Sequence, residues 1–210
     1  GEDGQLQRAA RPDPTALGLL HRYTALGFTP LGRRQAKAVT ALDSNAEPHA
    51  GDSVTGACLV IRTDVLRALE GFDPGYPFYW EDVDLCLRAR RAGHGVALVP
   101  DGPPVVHEGG AATRVAGGPP RLAFFTGLAR YGQRRFGGSW FAGLLVPGVL
   151  LRALVEAPRL EIQALRRRFQ GRPERARDAR RSARAWWRLL ERDVGSLLRL
   201  LRRPRSLSGS

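Results

Sequence analysis

The stretch that decides the fold is YPFYWEDVDLCLRARRAG, residues 76–93. It places an aromatic cluster directly before three acids, Glu81, Asp82 and Asp84, and then runs into arginines and a closing glycine. Apolar residues recur at spacings of three and four after the acids, which predicts a helix that begins at Glu81 and ends before Gly93. The free N–H groups and the positive dipole end of a helix favour acids in its first turn. Helix capping alone therefore explains the acids as one interpretation.

The surroundings of the acids also fit a sugar site. The rings of Tyr76, Phe78, Tyr79 and Trp80 are denser than a surface cap requires. An aromatic ring can cover the C–H face of a pyranose, and a carboxylate can accept hydrogen bonds from its hydroxyls or remove a proton from one. A lone histidine, His107, ends an apolar stretch further along the chain. Sugar chemistry is therefore the second interpretation.

The residues around this stretch predict an α/β layout. SVTGACLVIR, residues 53–62, is interpreted as a buried strand in which Gly56 and Ala57 leave room for an approaching group. Cys58 and Cys86 lie in apolar patterns without metal-ligand spacing, so we expect both to be small buried hydrophobes. The other predicted elements here are helices at 15–27 and 63–69 and strands at 95–100 and 104–107. Helices that alternate with strands are typical of an α/β fold.

Several short motifs between Val54 and Gly110 follow one another in a fixed order: TGACLVIR, GFD, EDVDL, an R and an AG along the same helix, VP and a closing His. In order and spacing they resemble the acceptor-side half of a glycosyltransferase family 2 enzyme, of the bacterial rhamnosyltransferase and galactofuranosyltransferase-like kind. DGQLQRAARPDPT is similar to a further segment of that family, so the resemblance runs from about Asp3 to about Arg114. It implies a GT-A, or Rossmann-like, fold and a nucleotide-diphosphate sugar donor.

The resemblance assigns roles to individual positions. Asp82 matches the general base that deprotonates the acceptor hydroxyl in an inverting displacement, and Glu81 lies beside it in the catalytic site. His107 matches a histidine that helps an Asp-x-Asp motif to bind a divalent metal, Mg²⁺ or Mn²⁺, on the donor diphosphate. A plain histidine at the end of a strand is the alternative. The residues expected on the acceptor side are Trp80, Tyr79, Asp84, Gly56 and Ala57.

The sequence departs from the family in two respects: it has no N-terminal βαβ segment and no separate Asp-x-Asp motif. Asp82 and Asp84 do spell D-x-D, but their place after the GFD turn makes them the acceptor motif. We therefore expect an incomplete GT-A half-domain, from a truncated or split glycosyltransferase, that is inactive alone because the donor-nucleotide half and its metal ligands are missing. The alternative function is a non-catalytic membrane-surface module that binds glycan or lipid.

Positive charge is concentrated in the C-terminal part. The net charge is +13, and most of the excess lies after residue 150. An apolar stripe there is flanked by arginines, which favours an amphipathic helix on an anionic membrane surface. A helix that packs on the protein body with its arginines in solvent is the alternative. Nucleic-acid binding is not favoured, since no zinc, RRM or helix-turn-helix signature occurs. The stripe consists of Ala183, Trp186, Trp187, Leu190, Val194, Leu197, Leu198 and Leu201.

These patterns predict three parts: residues 1–118 as the acceptor-side half-domain, 119–157 as a helical extension with two helices, and 158–210 as a basic amphipathic tail. The longest apolar run, 139–151, is shorter than the roughly 20 residues that a bilayer span needs. We therefore expect a chain that does not cross a membrane by itself. The expected location is peripheral, on the cytoplasmic face of the plasma membrane. A polyprenyl-linked or other glycan acceptor of bacterial cell-envelope polysaccharide biosynthesis would be available there.

Overall fold

The computed structural model describes residues 10–32, 34, 53–98, 105, 107 and 121–201, which are mostly helical. Residues 30–32 and 34 are also helical, in addition to the main elements. These elements are β1 (Ala10–Arg11), α1 (Ala16–Tyr23), a 3₁₀ helix (Ala25–Phe28), β2 (Ser53–Val54), α2 (Thr63–Ala68), α3 (Glu81–Arg91), α4 (Arg121–Phe136), α5 (Trp140–Phe169), α6 (Pro173–Glu191) and α7 (Val194–Arg199).

The helices near the site begin and end close to their predicted positions. Thr15 caps α1, because its side-chain oxygen accepts a hydrogen bond from the Gly18 N–H at 3.1 Å. α1 ends at Tyr23, earlier than predicted, and the 3₁₀ helix continues the chain to Phe28. α3 ends where Gly93 adopts a φ of +85°, a left-handed conformation that glycine takes without steric cost. The helix predicted over residues 81–92 is confirmed.

β1 and β2 form a two-stranded antiparallel sheet. Ala10 lies opposite Val54, and Arg11 lies opposite Ser53. β2 packs against α3, where the thiol of Cys86 lies 3.9 Å from the Val54 carbonyl oxygen. The prediction that Cys86 is buried is therefore confirmed.

The predicted strand over residues 53–62 extends only through its first two residues. From Gly56 onward the chain forms a turn and a loop in which Ala57 and Cys58 are exposed, and Val60 is 92% exposed. A buried strand needs neighbouring strands along its edges and packed elements on its faces, and the only described strand partner of β2 is the two-residue β1. The predictions of a long buried strand and of a buried Cys58 were wrong.

Strand content is also low after α3. Of the predicted strand at 95–100, Ala97 forms a single bridge, and residues 99–100 lie outside the described residues. The strand predicted at 104–107 has only residues 105 and 107 described, and neither is in a strand. The described part is therefore mostly helical, with far less sheet than an α/β layout implies.

The hydrophobic core lies among α4, α5 and α6, with α1, α7 and the aromatic turn before α3 packed around it. α6 runs along α5 in the most extensive contact between described elements. The two helices expected within residues 119–157 are present as α4 and the start of α5, and the boundary expected after residue 157 falls inside α5. The side chains at the centre of this core are Leu128, Tyr131, Phe141, Leu145, Val149 and Leu189.

The apolar stripe of the C-terminal part packs largely inward. Ala183, Trp186 and Leu197 are at most 5% exposed, and the Arg121 guanidinium lies 3.8 Å from the centre of a Trp186 ring. A stripe that faces a core has the same three- and four-residue spacing as one that faces lipid. For these residues the interpretation as a membrane-facing stripe was wrong, and the alternative of packing on the protein body is confirmed. The location at a membrane stays a prediction.

Among the described residues, α5 is the one helix long and apolar enough to span a bilayer by length and composition. Less than half of its most apolar segment is buried within the protein. A core helix of a soluble protein can meet the same criteria, so this is weak evidence for a span. The expectation that the chain does not cross a membrane by itself stays a prediction.

Candidate functional site

The start of α3 follows two consecutive residues in left-handed backbone, Tyr79 with φ of +62° and Trp80 with φ of +75°. Non-glycine residues in this region each cost roughly 1–3 kcal/mol and persist where the surroundings hold them. Here the aromatic packing holds them. The Trp80 ring stacks on Tyr131 with a centroid distance of 5.4 Å, and Tyr23 and Phe124 pack against it. The strained turn fixes the direction from which the three acids project.

Among the aromatic rings directly before the acids, that of Tyr79 is the most exposed. Trp80 is only 8% exposed, so it has no free face on which a sugar could stack, and this corrects its predicted place on the acceptor side. Tyr79 is 41% exposed and contacts Phe78 edge-on at 4.4 Å between ring centroids. A stacking platform at this site is therefore provided by Tyr79.

Asp82 reaches back to the loop after β2. Its Oδ2 accepts a hydrogen bond from the Gly56 N–H at 2.8 Å, and its Oδ1 accepts one from the Val83 N–H at 2.8 Å. A Cβ atom at Gly56 would lie 3.3 Å from the Cβ of Asp82, which is tighter than ordinary contact. The room predicted at Gly56 is thus occupied by Asp82 itself. The contact orients a carboxylate that remains partly exposed.

Glu81 lies beside Asp82 in a less polar setting. Its Oε2 is buried and receives no hydrogen bond from the described part of the chain. Burial, and to a smaller extent the negative charge of Asp82, raises the pKa of Glu81 above its ordinary value. A carboxyl group in this state holds its proton to higher pH than a solvated one. Glu81 is therefore suited to retain or donate a proton next to Asp82.

Asp84 lies behind the site rather than in it. It is fully buried and accepts hydrogen bonds from the Tyr76 hydroxyl at 2.7 Å, from Arg88 Nε at 2.8 Å and from Arg134 Nη1 at 2.6 Å. Arg88 lies one helical turn after Asp84, and the pair that they form is largely buried rather than on the helix surface. The expected acceptor contact is corrected, because no part of this carboxylate is accessible in this structure.

The network of Asp84 extends to Asp73 in the GFD turn. Arg134 donates to both carboxylates, and Asp73 also accepts from Arg130 at 2.8 Å and from the Gly75 N–H at 2.8 Å. Burial opposes ionisation of Asp73, but the Gly75 hydrogen bond and the two arginines outweigh it and lower its pKa. Sequence reasoning missed this network. The sequence shows Arg130 and Arg134 one helical turn apart on α4, but that spacing does not identify the acids with which they pair.

The described residues form no metal site. No group of three or more His, Cys, Asp or Glu side chains that could hold a metal ion occurs within them. His107 is exposed, and its neighbours in sequence, residues 106 and 108, are outside the described residues. The carboxylates of Asp82 and Asp84 already accept hydrogen bonds from N–H and guanidinium donors. The role of His107 as a metal ligand stays a prediction.

Comparison with known families bears on the part of the chain that contains the acids. Residues 14–114 match the family described as glycosyltransferase like family 2. The match covers just under half of the chain and includes Gly56, the three acids and His107. Comparison with curated proteins and with solved structures gives no match. The family match supports, in general terms, a GT-A-like fold and glycosyl transfer from a nucleotide-sugar donor to an acceptor, in a family that often uses a divalent metal.

Proposed function

We propose that this chain is the acceptor-side part of an inverting glycosyltransferase that transfers a sugar from a nucleotide-diphosphate donor to a glycan acceptor. The observation that supports this most is the partly exposed Asp82 carboxylate, which the Gly56 N–H orients at the start of α3. Both residues lie within the part of the chain that matches the glycosyltransferase family. Capping of α3 does not require a contact with a loop 26 residues earlier in the sequence.

In the proposed reaction Asp82 is the general base. Its carboxylate removes the proton from the acceptor hydroxyl while that oxygen bonds to the anomeric carbon of the donor. The bond from the anomeric carbon to the diphosphate breaks on the opposite face, so the configuration inverts and the proton stays on Asp82. The exposed ring of Tyr79 covers the C–H face of the acceptor sugar. Glu81, whose pKa is raised by burial, lies beside Asp82 and hydrogen bonds to the acceptor in this proposal.

The donor side of the site lies outside this sequence in our proposal. Asp82 and Asp84 form its only D-x-D motif, and the fully buried Asp84 is not available to a donor diphosphate. A divalent metal would neutralise the leaving diphosphate, and His107 is the residue proposed to help hold it. Because the described residues form no metal site, no step of the reaction is assigned to the metal.

The finer features of the proposal are the sugar, the acceptor and the location. Rhamnose is the sugar we name first, and the acceptor is a polyprenyl-linked or other cell-envelope glycan in a bacterium. The enzyme acts peripherally on the cytoplasmic face of the membrane. A non-catalytic glycan- or lipid-binding module is the second candidate, because the exposed ring of Tyr79 suits glycan binding whether or not transfer follows.

A transfer assay separates the two candidates. The protein, supplied with its donor half, is incubated with nucleotide-diphosphate rhamnose or with nucleotide-diphosphate hexoses and a glycan acceptor, and the product is analysed by proton NMR. We expect transfer with inverted configuration at the anomeric carbon. A retained configuration would contradict the proposed displacement. Glycan binding without transfer from any donor would support the binding module instead.

A further inference from the structure

The outer face of α5 is apolar and exposed along the whole helix. Its exposed side chains recur at three- and four-residue spacings, which places them in one sector of the helix. Pro147 and Pro158 lie in the same sector and are exposed as well. Thirty residues make a helix about 45 Å long, and this face carries no charged side chain along its centre. Its principal members, between 47 and 88% exposed, are Leu144, Leu151, Leu154, Ile162, Leu165 and Phe169.

The opposite face of α5 is buried in the protein core. Phe141, Leu145, Val149, Ala153 and Ala157 are at most 1% exposed and pack where α1, α4 and α6 contact the helix. A surface helix ordinarily has an apolar face toward the core and a polar face toward water. α5 has two apolar faces, and only one is covered by the described residues. A continuous exposed apolar face of this length indicates a surface that contacts another phase or molecule.

Positive charge borders the outer face toward the C-terminal end of α5. Arg159 and Arg166 lie on one side of it and Arg168 on the other, and all three are exposed. The two acids of the helix are less available: Glu156 is buried and paired with Arg159, and Glu161 is half-buried. An apolar centre with a basic border complements a layer whose interior is apolar and whose head groups are anionic.

We propose that this face of α5 lies on an anionic lipid bilayer, with the helix axis parallel to the membrane surface. The apolar side chains enter the boundary of the acyl chains, and the arginines lie at the level of the lipid phosphates. The helix does not span the bilayer in this arrangement, because its other face stays covered by α4 and α6. This inference rests on the membrane location in the proposed function and assigns the contact to α5, whereas the sequence pointed to the stripe between Ala183 and Leu201.

The exposed face of α5 could also pack against the same face of a second copy of the chain, because apolar residues at three- and four-residue spacings pair helices. Helix pairs of that kind are ordinarily supported by opposite charges along the borders of the apolar face. The borders of α5 carry exposed arginines, while its two acids are buried or half-buried. The charge pattern therefore favours lipid, and self-association becomes an outcome of the test.

Co-sedimentation with vesicles tests the proposal. The full chain and the variant Leu151→Glu/Leu154→Glu are mixed with phosphatidylcholine vesicles that contain or lack phosphatidylglycerol. The chain should bind the anionic vesicles, and the variant should bind them at least roughly tenfold more weakly, because two leucines no longer enter the lipid. Leu17→Glu/Leu26→Glu replaces leucines of similar exposure elsewhere and should leave binding unchanged. Leu198→Glu/Leu201→Glu makes the same change in the C-terminal part and should also have little effect.

Three results would overturn the proposal: no binding of the unaltered chain to anionic vesicles, equal binding of the Leu151→Glu/Leu154→Glu variant, or a stable dimer in sedimentation equilibrium that this variant dissociates. Transfer to a water-soluble acceptor, measured on the same proteins supplied with their donor half, separates this inference from the proposed reaction. Failed vesicle binding with intact transfer rejects only the lipid surface. Intact vesicle binding without transfer rejects only the reaction.

Discussion

At the scale of the residue, the acids of the EDVDL motif differ because the helix turns them in different directions. Residues two apart on a helix lie about 200° apart around its axis, so Asp82 and Asp84 cannot face the same side. Asp82 faces the loop after β2, where the Gly56 N–H binds it. Asp84 faces the interior, where Tyr76, Arg88 and Arg134 surround it. Of the two aspartates in the D-x-D sequence, Asp82 therefore lies in the candidate site and Asp84 has a structural role.

The structural role of Asp84 predicts a large loss of stability in Asp84→Asn. The amide cannot balance the two guanidinium groups that contact this buried position, and breaking such a buried pair typically costs about 3 kcal/mol or more. The free energy of unfolding, measured with urea, should fall by about that amount. Asp64→Asn is the matched control, because Asp64 pairs with Arg62 in full contact with solvent and its removal should leave stability unchanged. Equal stability of the two variants would contradict the role of Asp84.

At the scale of the element, glycines decide how closely the helices approach. Gly132 on α4 is buried against the ring of Phe141 on α5, and a Cβ atom there would overlap the ring. Gly127, five residues earlier on α4, faces the strained turn before α3, and a Cβ atom there would lie 2.9 Å from the Tyr79 carbonyl oxygen. Two small residues on one helix therefore bring α4 close to both the core and the candidate site.

This contact predicts that Gly132→Ala destabilises the protein, although alanine favours helix more than glycine does. Overpacking a filled core typically costs about 1–3 kcal/mol, which exceeds the gain of up to about 1 kcal/mol in helix propensity. Gly143→Ala on α5 is the control, because a Cβ atom there meets open space and only the gain in propensity applies. Thermal unfolding followed by circular dichroism should give opposite changes in Tm. A rise in Tm for Gly132→Ala would show that the helices can separate at no cost.

Element by element, the sequence predicted helices better than strands. The three- and four-residue spacing and the cap at Thr15 depend on local sequence, and α1 and α3 formed as expected. The run at 53–62 has the composition of a buried strand, but burial depends on neighbouring strands that its own residues do not specify. The same limit applies to residues 183–201, where the spacing identified an apolar face without identifying what covers it.

At the scale of the whole molecule, the helices outside the family match complete the environment of the site. The match ends at residue 114, and α4 begins at Arg121. Yet α4 supplies Tyr131, on which Trp80 stacks, and Arg134, which neutralises Asp84. The motif in the sequence indicated Asp82, whose role as the base stays a prediction. It could not indicate these long-range partners, because no local pattern connects Arg134 to an acid 50 residues earlier.

The most direct test of the account is the transfer rate of Asp82→Asn in the protein supplied with its donor half. Asparagine keeps one oxygen that can accept the Gly56 N–H and loses the acceptor for the Val83 N–H, so the fold should be retained with a small fall in Tm. The amide cannot take a proton from the acceptor hydroxyl. A general base typically contributes roughly 10²–10⁴-fold to a rate. With Asp64→Asn as the control for an exposed Asp-to-Asn change, kcat of Asp82→Asn should fall at least about 100-fold with acceptor binding retained. A kcat close to that of the unaltered enzyme would contradict the assignment of Asp82 as the base.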